Sequence, residues 1–98
     1  MHPDLDLLER LTDGQVVARR NFEIGLWAGL RLGFRGERLA AYARAIMDED
    51  YREPGPGDVI ARIRSDFEEH GVDYPPELIA DELKRTEAHV RRAFLATD

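Results

Sequence analysis

The sequence predicts an all-α protein, a single-domain four-helix bundle, and three observations carry that prediction. Apolar residues recur at spacings of three and four, and no stretch alternates with the period of a strand. Glycine and proline cluster between these segments and divide the chain into four. With 98 residues, 43% apolar and 35% charged, the composition suits one helix-rich globular domain rather than a disordered chain.

The first helix is expected to begin at Asp13 or Gln15, run to Leu32, and stop at Gly33, a natural left-handed terminator. Leu26, Trp27, Leu30 and Phe34 form its broad apolar face, and Val17 and Ile24 widen it, so this helix reads as the central one. Gly25, Gly29 and Gly33 recur every fourth residue and therefore share one side. Each glycine in a helix interior costs about 1 kcal/mol relative to alanine. Such a ladder implies a neighbouring helix that approaches closely. Arg31 sets it apart from the small-residue dimer motif of membrane helices.

The second helix starts after Gly36 and is expected to reach about Tyr51, with Leu39, Tyr42, Ala43, Ile46 and Met47 facing the core. Pro54-Gly55-Pro56-Gly57 ends it, because proline disfavours a helical residue before it. Pro56 then suits the opening turn of the third helix, where its missing amide is harmless. Asp58 follows in that turn, favoured by the helix dipole, and Val59, Ile60, Ile63 and Phe67 form the apolar stripe. Gly71 followed by Val72 predicts a Schellman ending. The fourth helix begins at Pro75 or Pro76 and continues to about Leu95, with a heptad-like seam of Ile79, Leu83, Thr86, Val90, Ala93 and Phe94.

Residues 1–14 read as an N-terminal arm or short helix ahead of a bundle formed by residues 15–98. Leu5, Leu8 and Leu11 make a short apolar turn, Asp4 is a candidate cap, and Gly14 interrupts the pattern. Two arrangements fit: a small helix folded back on the bundle, or an arm that orders on a partner.

No catalytic, metal or cofactor site is expected. His2, His70 and His89 lie apart, and the Asp48-Glu49-Asp50 run lacks the spacing of a calcium loop. Ser65 is the sole serine and has no nearby base, while adjacent carboxylates such as Glu68-Glu69 diverge around a helix. Gly55-Pro56-Gly57-Asp58 precedes a helix but lacks the lysine and hydroxyl of a phosphate loop, so nucleotide binding is a minor alternative. Trp27 and Tyr42 are expected in the core.

A net charge of −6 argues against nucleic acid as a partner. Arginines dominate the first third, and Lys84, Arg85, Arg91 and Arg92 gather late. These faces either complement one another or offer a charged docking surface to a protein. No apolar run approaches membrane-spanning length, there is no cysteine, and Met1-His2-Pro3-Asp4 does not resemble a secretory signal, which fits the cytoplasm.

A set of short words adds a resemblance. Ala18-Arg19-Arg20-Asn21, Gly25-Leu26-Trp27-Ala28, Leu32-Gly33, Tyr42-Ala43, Glu53-Pro54-Gly55 with Asp58-Val59, Asp66-Phe67 and Gly71-Val72-Asp73 occur in this order from Ala18 to about Phe94. In order and spacing they resemble the zeta subunit of the rotary ATP synthase, the ATPase inhibitor of bacterial relatives of mitochondria. That resemblance implies a four-helix bundle preceded by an inhibitory segment. In the family, this segment inserts into the catalytic head of the F-type ATP synthase and blocks rotation in the hydrolysis direction by steric means. It also implies a site peripheral to the inner membrane.

The arm is where the chain departs. Family members carry an Asp-Arg-Glu-Lys stretch with flanking phenylalanines and then a His-Asp-Glu-Glu-Leu run. Here Leu5-Asp6-Leu7-Leu8-Glu9-Arg10-Leu11-Thr12-Asp13-Gly14 stands instead, a divergent and shortened arm. The expectation is a regulatory subunit with inhibition weakened or lost, contacting its partner through Leu5, Leu8, Leu11, Arg19 and Arg20. The alternatives are a stand-alone helical interaction module and a weak nucleotide sensor.

Overall fold

A computed structural model describes residues 5–49 and 56–95, with side chains for 13–49 and 57–94. Among the described residues the chain forms four helices and no strand: α1 Leu5–Arg31, α2 Gly36–Asp48, α3 Pro56–Glu69 and α4 Pro76–Leu95. The long α1 is the hub. It packs along α2 on one side and α4 on another, and α3 closes the bundle against α4 and α1.

The punctuation works as the residue chemistry predicts. At the end of α1, Gly33 takes φ +90°, its amide donates to the Leu30 carbonyl at 3.1 Å, and the Phe34 amide donates to Gly29 at 2.9 Å. This Schellman closure turns Phe34 back into the core, edge-on to Tyr42 at 5.4 Å between ring centroids. The end of α3 repeats the device: Gly71 takes φ +67°, and the Val72 amide donates to the Phe67 carbonyl at 2.9 Å. Pro56 and Pro76 each open a helix.

The core joins Ile24 and Ala28 of α1, Tyr42 and Ile46 of α2, Val59, Ile63 and Phe67 of α3, and Ile79 and Leu83 of α4. Of the expected seam in α4, Val90 is buried. Thr86 is half-buried and donates its hydroxyl to the Glu82 carbonyl at 2.8 Å.

Four expectations are corrected. First, α1 starts at Leu5 and passes through Gly14 without interruption. One glycine costs less than ending a helix and nucleating another. Second, the buried side of α1 is Val16, Arg20, Asn21, Ile24, Gly25, Ala28 and Gly29, while Leu30 is 48% exposed and Val17, Leu26 and Trp27 are half-buried. The reason is the close approach of α2. A Cβ on Gly25 would lie 2.7 Å from the Ala43 Cα, and one on Gly29 would lie 2.6 Å from Leu39 Cδ1. The small side of α1 is thereby turned inward, and its bulkier residues rotate towards the rim.

Third, Gly33 is not a rung of that ladder, since among the described residues a Cβ there would meet nothing within 4 Å; its role is the positive φ. Fourth, Ala93 and Phe94 lie outside the core, Phe94 being 37% exposed. The helix α2 ends at Asp48, and the expected extension to Tyr51 falls outside the described residues.

Candidate partner-binding surface

The residues singled out for binding separate into three environments. Leu5, Leu8 and Leu11 belong to the first turns of α1, and their side chains lie outside the described residues. Arg19 is exposed and pairs with Glu23, one turn on, at 2.7 Å. Arg20 is different: it is only 5% exposed and points inward.

That burial is the most informative feature of the surface between α1 and α4. Arg20 Nε and Nη2 donate to Asn21 Oδ1 at 2.9 and 2.8 Å, and Nη1 donates to Glu87 of α4 at 2.9 Å. Glu87 accepts a second bond from Arg91 Nε at 3.1 Å, and Arg91 Nη1 reaches Asp13 of α1 at 2.9 Å. A chain of alternating charge thus runs from the interior to the surface, tying the N-terminal half of α1 to the C-terminal half of α4. The bond from Arg20 holds the Glu87 carboxyl below its ordinary value, against the contrary effect of partial burial and with help from Arg91. Arg20 therefore ties α1 to α4 from the interior. Buried Asn21 leaves Nδ2 without an acceptor among the described residues, a cost accepted in orienting Arg20.

Sequence spacing reveals only the Glu87–Arg91 pair, four residues apart on one helix. Asp13 and Glu87 escaped notice because their partners are distant in the chain. No local signal connects residues 67 or 78 positions apart.

Beside this seam lies an open cleft of about 270 Å³, lined by Arg19, Glu23, His89, Val90, Ala93 and Phe94. A second polar tie joins α2 to α3: the Tyr42 hydroxyl donates to Asp66 at 2.7 Å, and Arg62 bridges Asp66 and Glu49 at 2.9 Å each. Burial first, then the bond to Asp66, push the Tyr42 phenol far above its ordinary value. Burial opposes the charge on Arg62, yet the bonds to Glu49 and Asp66 hold it above its ordinary value.

The aromatic residues form a patch near the other end of α1. Half-buried Trp27 meets Tyr74 edge-on at 5.2 Å, and the Arg31 guanidinium lies 4.8 Å from both ring centroids. Near Phe34, His70 stacks edge-on at 5.7 Å, and its Nδ1 lies 3.0 Å from the Asp66 carbonyl. Among the described residues no three His, Asp or Glu side chains converge as metal ligands. No helix there is long and apolar enough to cross a membrane. Of the candidate nucleotide turn, Gly55 lies outside the described residues, and Gly57 and Asp58 form the first turn of α3.

Comparison with curated proteins and with solved structures finds no match to this chain. Comparison with protein families does: residues 12–93 match the ATPase inhibitor subunit zeta family, a span that begins just after Leu11 and takes in the seam, the glycine contact and both Schellman turns. The four helices, their terminators and the matched span agree, and the chain belongs to the ATPase inhibitor subunit zeta family.

Proposed function

We propose that this chain is a non-catalytic regulatory subunit that binds the catalytic head of the F-type ATP synthase and restrains ATP hydrolysis. It acts in the cytoplasm, at the periphery of the inner membrane. The single observation carrying this reading is the family match across residues 12–93. The uninterrupted α1 fits it, because one helix links the bundle to the segment that bears Leu5, Leu8 and Leu11. Action is by shape: a helix wedged against a moving interface stops rotation without making or breaking a bond.

Leucines stand where family members carry basic and aromatic residues, so the contact is apolar and inhibition is weaker than in the family. Arg19, exposed on the same helix, supplies a polar contact at its edge.

The test is ATP hydrolysis by the purified cognate synthase with and without the protein, alongside co-purification. Slower hydrolysis, relieved by Leu8→Asp in a chain that still folds, supports the proposal. If the protein neither co-purifies nor slows hydrolysis, it is a stand-alone interaction module and the proposal fails. Amide shifts at Gly57 and Asp58 on adding ATP would instead favour the nucleotide sensor.

A further inference from the structure

Gly14 differs from the other glycines inside α1. Gly25 and Gly29 are required by the close approach of α2, whereas among the described residues a Cβ at Gly14 would meet nothing within 4 Å. Nor does Gly14 adopt a positive φ that would call for glycine. It lies inside a 27-residue helix, and no described residue packs closely enough there to require glycine. Glycine there weakens the helix locally by exposing backbone and adding freedom to the open state.

The residue before it closes the gap. Asp13 accepts from Arg91, which also holds Glu87, which in turn holds buried Arg20. Asp13 and Arg91 are 59% and 43% exposed, so salt screens this outer pair, while the inner pair on Arg20 is shielded.

We propose that Gly14 is a hinge in α1 and that Asp13–Arg91 is the latch holding it straight. Latched, α1 is one rod about 40 Å long at 1.5 Å per residue. Unlatched, the turn at Gly14 opens and the direction of the helix before it is released, while the bundle stays folded on Arg20, Asn21 and the core. Arg91 of the latch also pairs with Glu87 of α4, which in turn pairs with Arg20 of α1. The hinge stands independently of the proposed function; only its effect on inhibition rests on that reading.

Amide hydrogen exchange on the full chain tests it. Arg91→Gln, and Asp13→Asn separately, should speed exchange at residues 14–18 about two- to fivefold, as expected for exposed ion pairs. Asp13→Glu should preserve the rate, and Gly14→Ala should slow it about fivefold. Amides of Ile24 to Ala28 should not move in any of these variants. Because the chain has no cysteine, spin labels on Glu9→Cys and Arg64→Cys give a second readout, a distance spread that narrows in Gly14→Ala and widens in Asp13→Asn. Unchanged rates at residues 14–18 in both Arg91→Gln and Gly14→Ala, or changes shared equally by Ile24 to Ala28, would overturn the hinge. If exchange behaves as expected but the wild-type chain leaves ATP hydrolysis untouched, the hinge stands and the proposed function falls.

Discussion

The backbone of Ala43 lies 2.7 Å from the position that a Cβ on Gly25 would occupy. No side chain can rotate out of that conflict, because the obstacle is a Cα atom. Gly25→Ala must push α2 away from α1 and open the core around Ile24 and Ile46. The helix-propensity gain of about 1 kcal/mol is outweighed by overpacking, with a net loss of about 1–3 kcal/mol. Gly29→Ala meets only side-chain atoms, Leu39 Cδ1 at 2.6 Å and the Tyr42 ring at 3.3 Å; the first is the end of a side chain that can change rotamer, so the substitution should cost less. Gly14→Ala meets nothing among the described residues and should stabilise by up to about 1 kcal/mol. Urea unfolding of the three variants checks the order Gly14→Ala, Gly29→Ala, Gly25→Ala from most to least stable.

That series also marks how far the sequence could be read. Helix number, the left-handed stop at Gly33, the Schellman turn at Gly71, and helix openings at Pro56 and at the Pro75-Pro76 pair were legible, because each depends on local backbone chemistry. The stripes of α2 and α3 were legible because their buried residues are also their large apolar ones. The stripe of α1 was legible only in part: Ile24 and Phe34 are buried as expected, whereas Val17, Leu26 and Trp27 are half-buried and Leu30 is exposed. Its inward side carries Gly25, Ala28, Gly29, Asn21 and Arg20, so a search for bulky apolar residues selects the rim instead. Arg20 misled for the same reason: an arginine is normally a surface residue. Only the three-dimensional meeting with Glu87 reveals it as an interior one.

Tyr42 offers an alkaline probe of the contact between α2 and α3. Its hydroxyl donates to Asp66, and its pKa is raised above the ordinary 10.0 by burial and by that bond. Above pH 10 the unfolded chain loses this proton while the folded chain keeps it. The stability contributed by the raised pKa is therefore complete below pH 10 and declines as pH rises further. Tyr42→Phe should cost about 0.5–1.5 kcal/mol at neutral pH, with Asp66 still held by Arg62. Its stability should fall less steeply above pH 10 than that of the wild type. Chemical denaturation at a series of pH values from neutrality to 11 measures both effects.

Arg31 sits 4.8 Å from the ring centroids of both Trp27 and Tyr74, and Trp27 is the chain's single tryptophan. Replacing Arg31 by Ala removes the cation from both rings and admits water to the indole. The expected loss is about 0.5–1 kcal/mol, as for cation–π contacts at exposed sites. Tryptophan emission should move to longer wavelength with the helix content unchanged. An unshifted spectrum would show that Arg31 does not shield the indole.

Glu87 couples the α1–α4 seam to acid. Arg20 holds its carboxyl below the ordinary 4.5, with partial burial opposing and Arg91 assisting. As pH falls through 4.5 the unfolded chain takes up this proton before the folded one does. The resulting stability is present above that value and is lost as pH drops through the lower folded pKa. Glu87→Gln removes this dependence and the charge that Glu87 presents to the Arg20 guanidinium, which keeps its bonds to Asn21. Breaking a buried pair costs about 3–5 kcal/mol, and the partial exposure of Glu87, together with the amide oxygen that remains, reduces the expected loss to about 1–3 kcal/mol. At pH 7 the variant should therefore melt below the wild type, and as pH falls below 4.5 the two melting temperatures should converge. Parallel melting curves at every pH would show that Glu87 does not couple acid to the α1–α4 seam.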